Sequence, residues 1–501
     1  MALTRRTGIR YALVRRGGEP GQGKGSRQMD GKRFVRGANP YMPLWEHVPD
    51  GEPRVFTYGG ETRVYVYGSH DTLRTEYCGD DYVVWSAPAD DLTDWKCHGV
   101  CYKAEDGGVL YAPDVVQKGN LFYMYAAERK GSVIMVAKSE MPWGPFTDPV
   151  KTELGFDPGI LVDDDGRVYA YWGFCASYCA ELNEDMATIK EGTLREHPIG
   201  HCIAQWARED GHTDTKAAFF EASSPRRIFG KYVYIYSKRV TDPVPELGIH
   251  EHCNGFLSYR WSDRPLDGFR EGGDISFNGG EILKDADGNG TMTYRWGNNH
   301  GSVINVNGQW YVFYHRQTGT DEFSRQAMLE PIDAAMGKDG KIYLGKIEYR
   351  DGEPVASGPV EMTSQGPQVN GIDAREWISG GYACHLHGGK ERAYIAPVYE
   401  QRTDVSAPVK NITDGTAAGY RYLQFGLNSP KSMTIVMNSE GETAVSVRLD
   451  RPDGKEIAAF DLKDGEKKMT RELKSGVIGK HAVYLVFRTK GKAELDRFTF
   501  D

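Results

Sequence analysis

The chain has 501 residues, of which 26% are charged and 40% hydrophobic, and its formal net charge is −9. That length is too great for one ordinary core and calls for two or more domains. The acidic balance gives no electrostatic reason to bind nucleic acid or an anionic membrane, and no apolar run is long enough for a membrane-spanning helix.

Residues 1–36 are basic and glycine-rich and lack a continuous apolar stretch, so they are expected to form a flexible tail and make a poor export signal. The eight cysteines do not form a disulfide framework in a chain this long, which points to reduced thiols and a cytoplasmic setting. The pairs "CHGVC" (97–101) and "CASYC" (175–179) have spacing that zinc tolerates. No second pair follows at close range, so buried apolar thiols are the favoured reading.

From residue 37 a two-part pattern recurs. Its first part is a Gly or Asp turn followed by an alternating aromatic strand: "RVYVYGS" (63–69), "GNLFYMYAA" (119–127), "GRVYAYWGF" (166–174), "GKYVYIYSK" (230–238) and "GQWYVFYHR" (308–316). Period-2 alternation of β-branched and aromatic residues signals strands. The second part is a strand, a small or acidic turn and a large aromatic, as in "VVWSAPADDLTDW" (83–95), "MVAKSEMPWGPF" (135–146) and "LSYRWSDRPLDGF" (257–269). Short strands repeating at this spacing predict a β-propeller, and five copies predict five blades over 37–352. "IDAAM" (332–336) reads as at most one helical turn. Residues 353–371, rich in Gly, Pro, Ser and Thr, read as a linker, and 372–501 as a β-sandwich of alternating strands. The fold class is therefore all-β, a five-bladed propeller followed by a sandwich.

Propeller chemistry sits at one end of the central channel, so acids beside the innermost strands are the candidates. "DGEPRVF" (50–56), "YAPDVVQ" (111–117), "FDPGILVDDDG" (156–166) and "FFEASSPRRIFG" (219–230) each carry a carboxylate beside Pro or a small residue. The fifth copy, "WGNNHGSVINVNG" (296–308), has a histidine there. Glu52, Asp114, Asp157, Glu221 and His300 are thus expected to converge on one axis, and tolerated repulsion among acids points to chemistry or a cation.

These segments together resemble glycoside hydrolase family 43, a group of inverting five-bladed propeller enzymes acting on arabinose- and xylose-containing glycans. The resemblance runs from "NPYMPLW" (39–45) to "AMLEPI" (327–332). It implies that Glu221 is the general acid, Asp157 the carboxyl that tunes its pKa, and an Asp-Pro acid of the first blade the base. This chain has Glu52-Pro53 there, with Asp50 two residues earlier as the rival. Inverting hydrolysis wants one protonated and one ionised carboxyl roughly 6.5–9.5 Å apart. Like-charge repulsion from Asp157 is expected to keep Glu221 protonated, and Arg316 to pair with Asp157 and keep it ionised. Trp45 and Trp172 are candidate sugar platforms or core residues, and Asp114 a substrate-binding or supporting acid. His300 is expected to bind substrate or to help hold a structural Ca2+ or water cluster in the channel; the chemistry itself requires no cofactor. The C-terminal part, through "NITDGTAAGYRYLQFG" (411–426) and "ELDRFTF" (494–500), resembles carbohydrate-binding modules of family 6, and bracing of the propeller is its favoured role.

The expected function is exo-hydrolysis of α-L-arabinofuranosyl or β-D-xylosyl ends of oligosaccharides, the expected partner being the oligosaccharide alone. The alternatives are a sugar-binding propeller that has lost its Asp base, or a glycosidase for another sugar such as galactose.

Overall fold

The structure is a computed structural model that describes residues 35–73, 75–104, 107–201, 218–398 and 406–501. Of the expected tail, residues 1–34 lie outside the described residues. Val35 is buried, and its N–H donates to the Tyr382 hydroxyl at 3.2 Å.

The strands form five antiparallel sheets in chain order, each a blade. Blade one holds Glu52–Tyr58, Glu61–Tyr67, Asp81–Pro88 and Lys96–Lys103. Blade two holds Tyr111–Lys118, Leu121–Ala127, Val133–Ser139 and Thr147–Lys151. Blade three holds Gly159–Val162, Val168–Trp172, Ala176–Leu182 and Arg195–His201. Blade four holds Ala218–Ile228, Lys231–Val240, Cys253–Ser262 and Arg270–Phe277. Blade five has five strands: Ser302–Val306, Gln309–Gln317, Arg325–Met336, Ile342–Arg350 and Glu353–Gly358. The turns that mark the sequence repeat are the hairpins joining the first two strands. Asn307 and Gly308 both have positive φ (51° and 91°) there, the conformation that a tight two-residue hairpin demands.

Two expectations change. "IDAAM" continues the strand Arg325–Met336 rather than turning as a helix. Residues 353–371 are no free linker: Glu353–Gly358 extends blade five, the Val360 N–H donates to the Ile275 carbonyl at 2.8 Å, and Thr363 donates to Glu330 from N–H and hydroxyl at 2.6 and 2.7 Å.

Each blade's first strand lines the channel. Hydrogen bonds cross between them from Arg54 to Asp114 and Ile160, and from Arg226 to Val303 and Pro53. The ring closes between blades five and one through a shared apolar cluster that includes Val64, Val66, Trp85, Ile304, Phe313 and Leu329.

From Ile372 onward two sheets face each other. One is built around Ala417–Gln424, Lys480–Thr489 and Thr443–Leu449, the other around Val409–Ile412, Ala493–Phe500 and Ser432–Ser439. This sandwich shares one apolar core with blades four and five, in which Tyr382, Cys384 and Tyr420 join Leu257, Tyr294 and Tyr314.

Candidate active site

A cavity of about 420 Å³ opens at one end of the channel, within the usual range for a small-molecule site. Asp50, Asp157, Glu221, His300 and Arg325 all face it. Asp50 and Asp157 each stand two residues before an inner strand, at Glu52 and Gly159, and both have left-handed backbone (φ 55° and 50°). His300 stands two residues before Ser302 in the same way. Aspartate tolerates that conformation better than most residues, and non-glycine residues held there cluster at functional sites.

Asp50 is fixed on every side. Its N–H donates to His315 Nδ1 at 3.2 Å, and His315 Nε2 donates to the Asn298 carbonyl at 2.7 Å, which sets the tautomer. Arg325 Nη1 lies 2.9 and 3.1 Å from the two Asp50 oxygens, and the Ser69 hydroxyl donates to Oδ2. Arg325 is in turn gripped by Asp71, with Nε and Nη2 at 3.0 and 2.8 Å. Across the cavity Asp157 Oδ2 accepts the N–H of Ala222, the residue after Glu221, at 3.1 Å. His300 Nδ1 is 3.6 Å from Asp157 and 3.8 Å from Asp50.

The electrostatics divide these acids. Burial works to raise the Asp50 pKa, but Arg325, then His315 and His300, outweigh it and carry the carboxyl down to about 2. For Glu221 burial outweighs its partners, Arg325 and Asn298. Burial first, then the Asp50 charge, push it up to about 8 against the pull of Arg325. Asp157 is raised well above the ordinary range by burial, Glu221 and Asp50, with the Ala222 N–H opposing. Burial keeps His300 and His315 neutral, both lowered to about 4.

One wall is aromatic. Phe174, 52% exposed, packs on Phe156 and Phe220 with ring centroids 5.1 and 5.3 Å away, and Trp296 lines the cavity with them. A pocket that pairs a low-pKa with a high-pKa carboxyl beside apolar rings has the parts for glycoside hydrolysis.

Comparison with known proteins bears on this geometry. The model of Glycosyl hydrolases family 43 matches residues 50–342, and that of the carbohydrate binding module of family 6 matches 395–501. A xylosidase/arabinosidase of Thermoclostridium stercorarium is 31% identical, the alignment covering 92% of this chain and 98% of the relative. The chain belongs to glycosyl hydrolase family 43. An arabinoxylan arabinofuranohydrolase of Bacillus subtilis is 25% identical over 92% of this chain and 91% of its own. A crystal structure of a family 43 arabinoxylan arabinofuranohydrolase from Bacillus subtilis, in complex with cellotetraose, aligns over 93% of this chain and 98% of its own, at 21% identity and a TM-score of 0.46.

In this family 43 hydrolase, Asp157, Glu221 and His300 come together in the cavity with Asp50, the rival base, whereas Glu52, Asp114, Arg316, Trp45 and Trp172 do not line it. Glu52 is 2% exposed and lies in the channel beyond the cavity, bound by Arg226 at 2.6 Å and Arg54 at 3.3 Å. The left-handed backbone at Asp50 (φ 55°) sends the earlier acid to the pocket instead. Asp114 is likewise held inside, by Arg54 and by the Ile160 N–H at 2.7 Å. Arg316 does not reach Asp157. It donates to the carbonyls of Ala383 and Gly381 at 2.6 and 2.5 Å and so pins the sandwich to blade five. Strand alternation explains the switch, since neighbours on a strand face opposite ways, and His315 takes the pocket side. Trp172 is 7% exposed and stacks on Tyr178 in the core, and Trp45 is half-buried against Trp85; neither lines the cavity.

The charge that raises Glu221 also differs from expectation. It comes from Asp50, which Arg325 keeps ionised, because Asp157 is itself pushed toward its neutral form.

The calcium expectation at His300 meets an unsuitable donor set. Calcium takes six to eight oxygens, whereas His300 brings a nitrogen, and the Asp50 oxygens already accept from Arg325 and Ser69. Among the described residues no three His, Cys, Asp or Glu side chains converge as a metal site. Cys101 and Cys179 are buried free thiols.

Sequence reasoning missed Arg325, Asp71, His315 and the phenylalanine wall. His315 sits on the blade-five strand that the repeat pattern marked, whereas Arg325 opens the next strand, Arg325–Met336, which the pattern did not mark. Asp50, the rival base in the sequence, is the first-blade acid that lines the cavity; what the sequence did not show is its left-handed backbone (φ 55°).

Proposed function

We propose that this enzyme is an exo-acting, inverting glycosidase that releases terminal α-L-arabinofuranosyl or β-D-xylosyl units from oligosaccharides. The observation that carries the mechanism is the split between Asp50 at about 2 and Glu221 at about 8 in one cavity. Glu221 gives its proton to the glycosidic oxygen as the bond from that oxygen to the anomeric carbon breaks. Asp50 takes a proton from water as the water oxygen bonds to the same carbon from the opposite face. Asp157, tied to the residue after Glu221, keeps the acid's orientation, while burial and the Asp50 charge discourage its ionisation. His300 and Arg325 complete the polar floor, and the Phe156–Phe174–Phe220 wall offers the sugar an apolar face. The names of the similar xylosidase/arabinosidase and arabinofuranohydrolase support the two sugars. The alternative of a propeller without its base loses its motive, because Asp50 supplies an aspartate to the cavity.

The test is release of 4-nitrophenol from the α-L-arabinofuranoside and β-D-xylopyranoside by wild type, Asp50→Asn and Glu221→Gln, with the anomer of the first product followed by NMR. Turnover with an inverted product, lost in both variants, is expected. A retained anomer, or Asp50→Asn activity near wild type, overturns the assignment.

A further inference from the structure

Beyond the pocket floor the five inner strands meet on a buried ion network. Arg54 of blade one binds Asp114 of blade two with Nε at 3.1 Å and Nη2 at 2.6 and 2.7 Å, and binds the Ile160 carbonyl of blade three at 3.0 Å. Arg226 of blade four reaches Glu52 at 2.6 Å and the Pro53 carbonyl at 3.1 Å in blade one, and the Val303 carbonyl of blade five at 3.0 Å. Ser224 lies 2.9 Å from Glu52 and 2.7 Å from Ser302. Two guanidinium groups thus balance two carboxylates in a largely buried space, where an unpaired charge is costly.

The attachment points matter. Glu52 follows Asp50 by two residues and Ser302 follows His300 by two; Ile160 follows Asp157 by three and Ser224 follows Glu221 by three. The strands that deliver Asp50, Asp157, Glu221 and His300 are therefore each tied down one step further along by this network. A metal ion here would face two guanidiniums, and the carboxylates it needs are already paired.

We propose that Arg54 and Arg226 are positioning residues that act as the enzyme's internal cation pair, fixing the spacing of Asp50, Asp157, Glu221 and His300 and making the activity independent of a divalent metal. This rests on the pocket assignment above. A misplacement of about 1 Å at a reacting group can lower turnover about a hundredfold, so the pair acts on kcat more than on KM.

The experiment uses the full chain as wild type, Arg226→Lys, Arg226→Met and the charge-balanced double variant Glu52→Gln/Arg226→Met. The thermal midpoint, kcat and KM on both nitrophenyl glycosides are measured in EDTA and in calcium chloride. Wild type is expected to show the same midpoint and kcat in both. Arg226→Met and the double variant are expected to lose kcat about a hundredfold with KM changed only a few-fold, and Arg226→Lys to recover part of it. A wild type that loses its midpoint or its kcat in EDTA and regains it with calcium overturns the proposal, as does a folded double variant with wild-type kcat. If Arg226→Met alone does not fold, the double variant and the EDTA comparison still decide. A wild type inactive on both sugars would count against the functional reading, while its midpoint in EDTA still tests metal independence.

Discussion

Two sets of buried acids lie within a few residues of each other on the same strands, and they are treated in opposite ways. In the channel, Glu52 and Asp114 are each paired with an arginine at 2.6 Å. In the pocket, Asp50 pairs with Arg325, while among the described residues no arginine lies within ion-pair distance of Asp157 or Glu221, and both pKa values rise; burial raises Glu52 too, but against the direct pull of Arg226 and Arg54. The channel charges are neutralised to hold the ring of blades together. The pocket charges are left unequal, because general acid–base catalysis needs one carboxyl that keeps its proton beside one that has lost it.

Mutations on the two sides should break in different ways. The largest effect belongs to the pocket: Glu221→Gln or Asp50→Asn should lower kcat/KM about a thousandfold or more, measured on the nitrophenyl glycosides. Next is Glu52→Gln, which strands buried arginine charge and should lower unfolding stability by about 3–5 kcal/mol in urea denaturation, while the limbs of the pH profile stay in place. If Glu52→Gln moved a limb instead, the division between channel and pocket would fail.

The pH profile of the wild type sharpens the comparison. Glu221 works protonated with its pKa raised to about 8, so kcat/KM should hold through neutrality and fall as pH rises through about 8. Asp50 works ionised with its pKa lowered to about 2, so its own acid limb lies far below neutrality. Arg325→Met removes the charge that holds Asp50 down, and the acid limb should move up toward or past the ordinary carboxylate range. The stability signs follow from the same shifts. The contribution of Glu221 is complete below its unfolded pKa and is lost as pH rises through about 8, so Glu221→Gln should melt higher than wild type above that pH.

Smaller effects come from the outer contacts. Arg316→Met leaves the Ala383 and Gly381 carbonyls without their donor and should lower stability by about 1–3 kcal/mol by thermal denaturation, with the pH limbs unmoved. Smallest of all, Phe174→Ala should raise KM a few-fold by removing an exposed ring from the pocket wall, whereas Trp172→Phe should leave KM unchanged and register only as a modest loss of stability.

Much of the propeller was legible because its code is local. A tight turn followed by alternating aromatics repeats for every blade, and alternation depends only on the two faces of a strand. The third and fourth blades show their pocket acids in the same way, through "FDPG" and "FFEAS". Blade one was harder. An extended chain puts Asp50 and Glu52 on one side, but positive φ at Asp50 breaks the alternation and separates them, one into the pocket and one into the channel. Arg316 and His315 show a related ambiguity, because a one-residue difference on a strand reverses which face each side chain meets.

The sequence by itself determined the all-β architecture, the five-fold repeat, the sandwich and three of the pocket groups, Asp157, Glu221 and His300, since each follows from short-range pattern. Only the tertiary structure decided which first-blade acid is ionised in the pocket, which arginine holds it, and which aromatic rings face the sugar side. Those outcomes depend on contacts between residues far apart in the chain, such as Asp50 with Arg325 and Glu52 with Arg226. A carboxyl's pKa is set by the charges and burial around it, and no local stretch of sequence contains that surrounding.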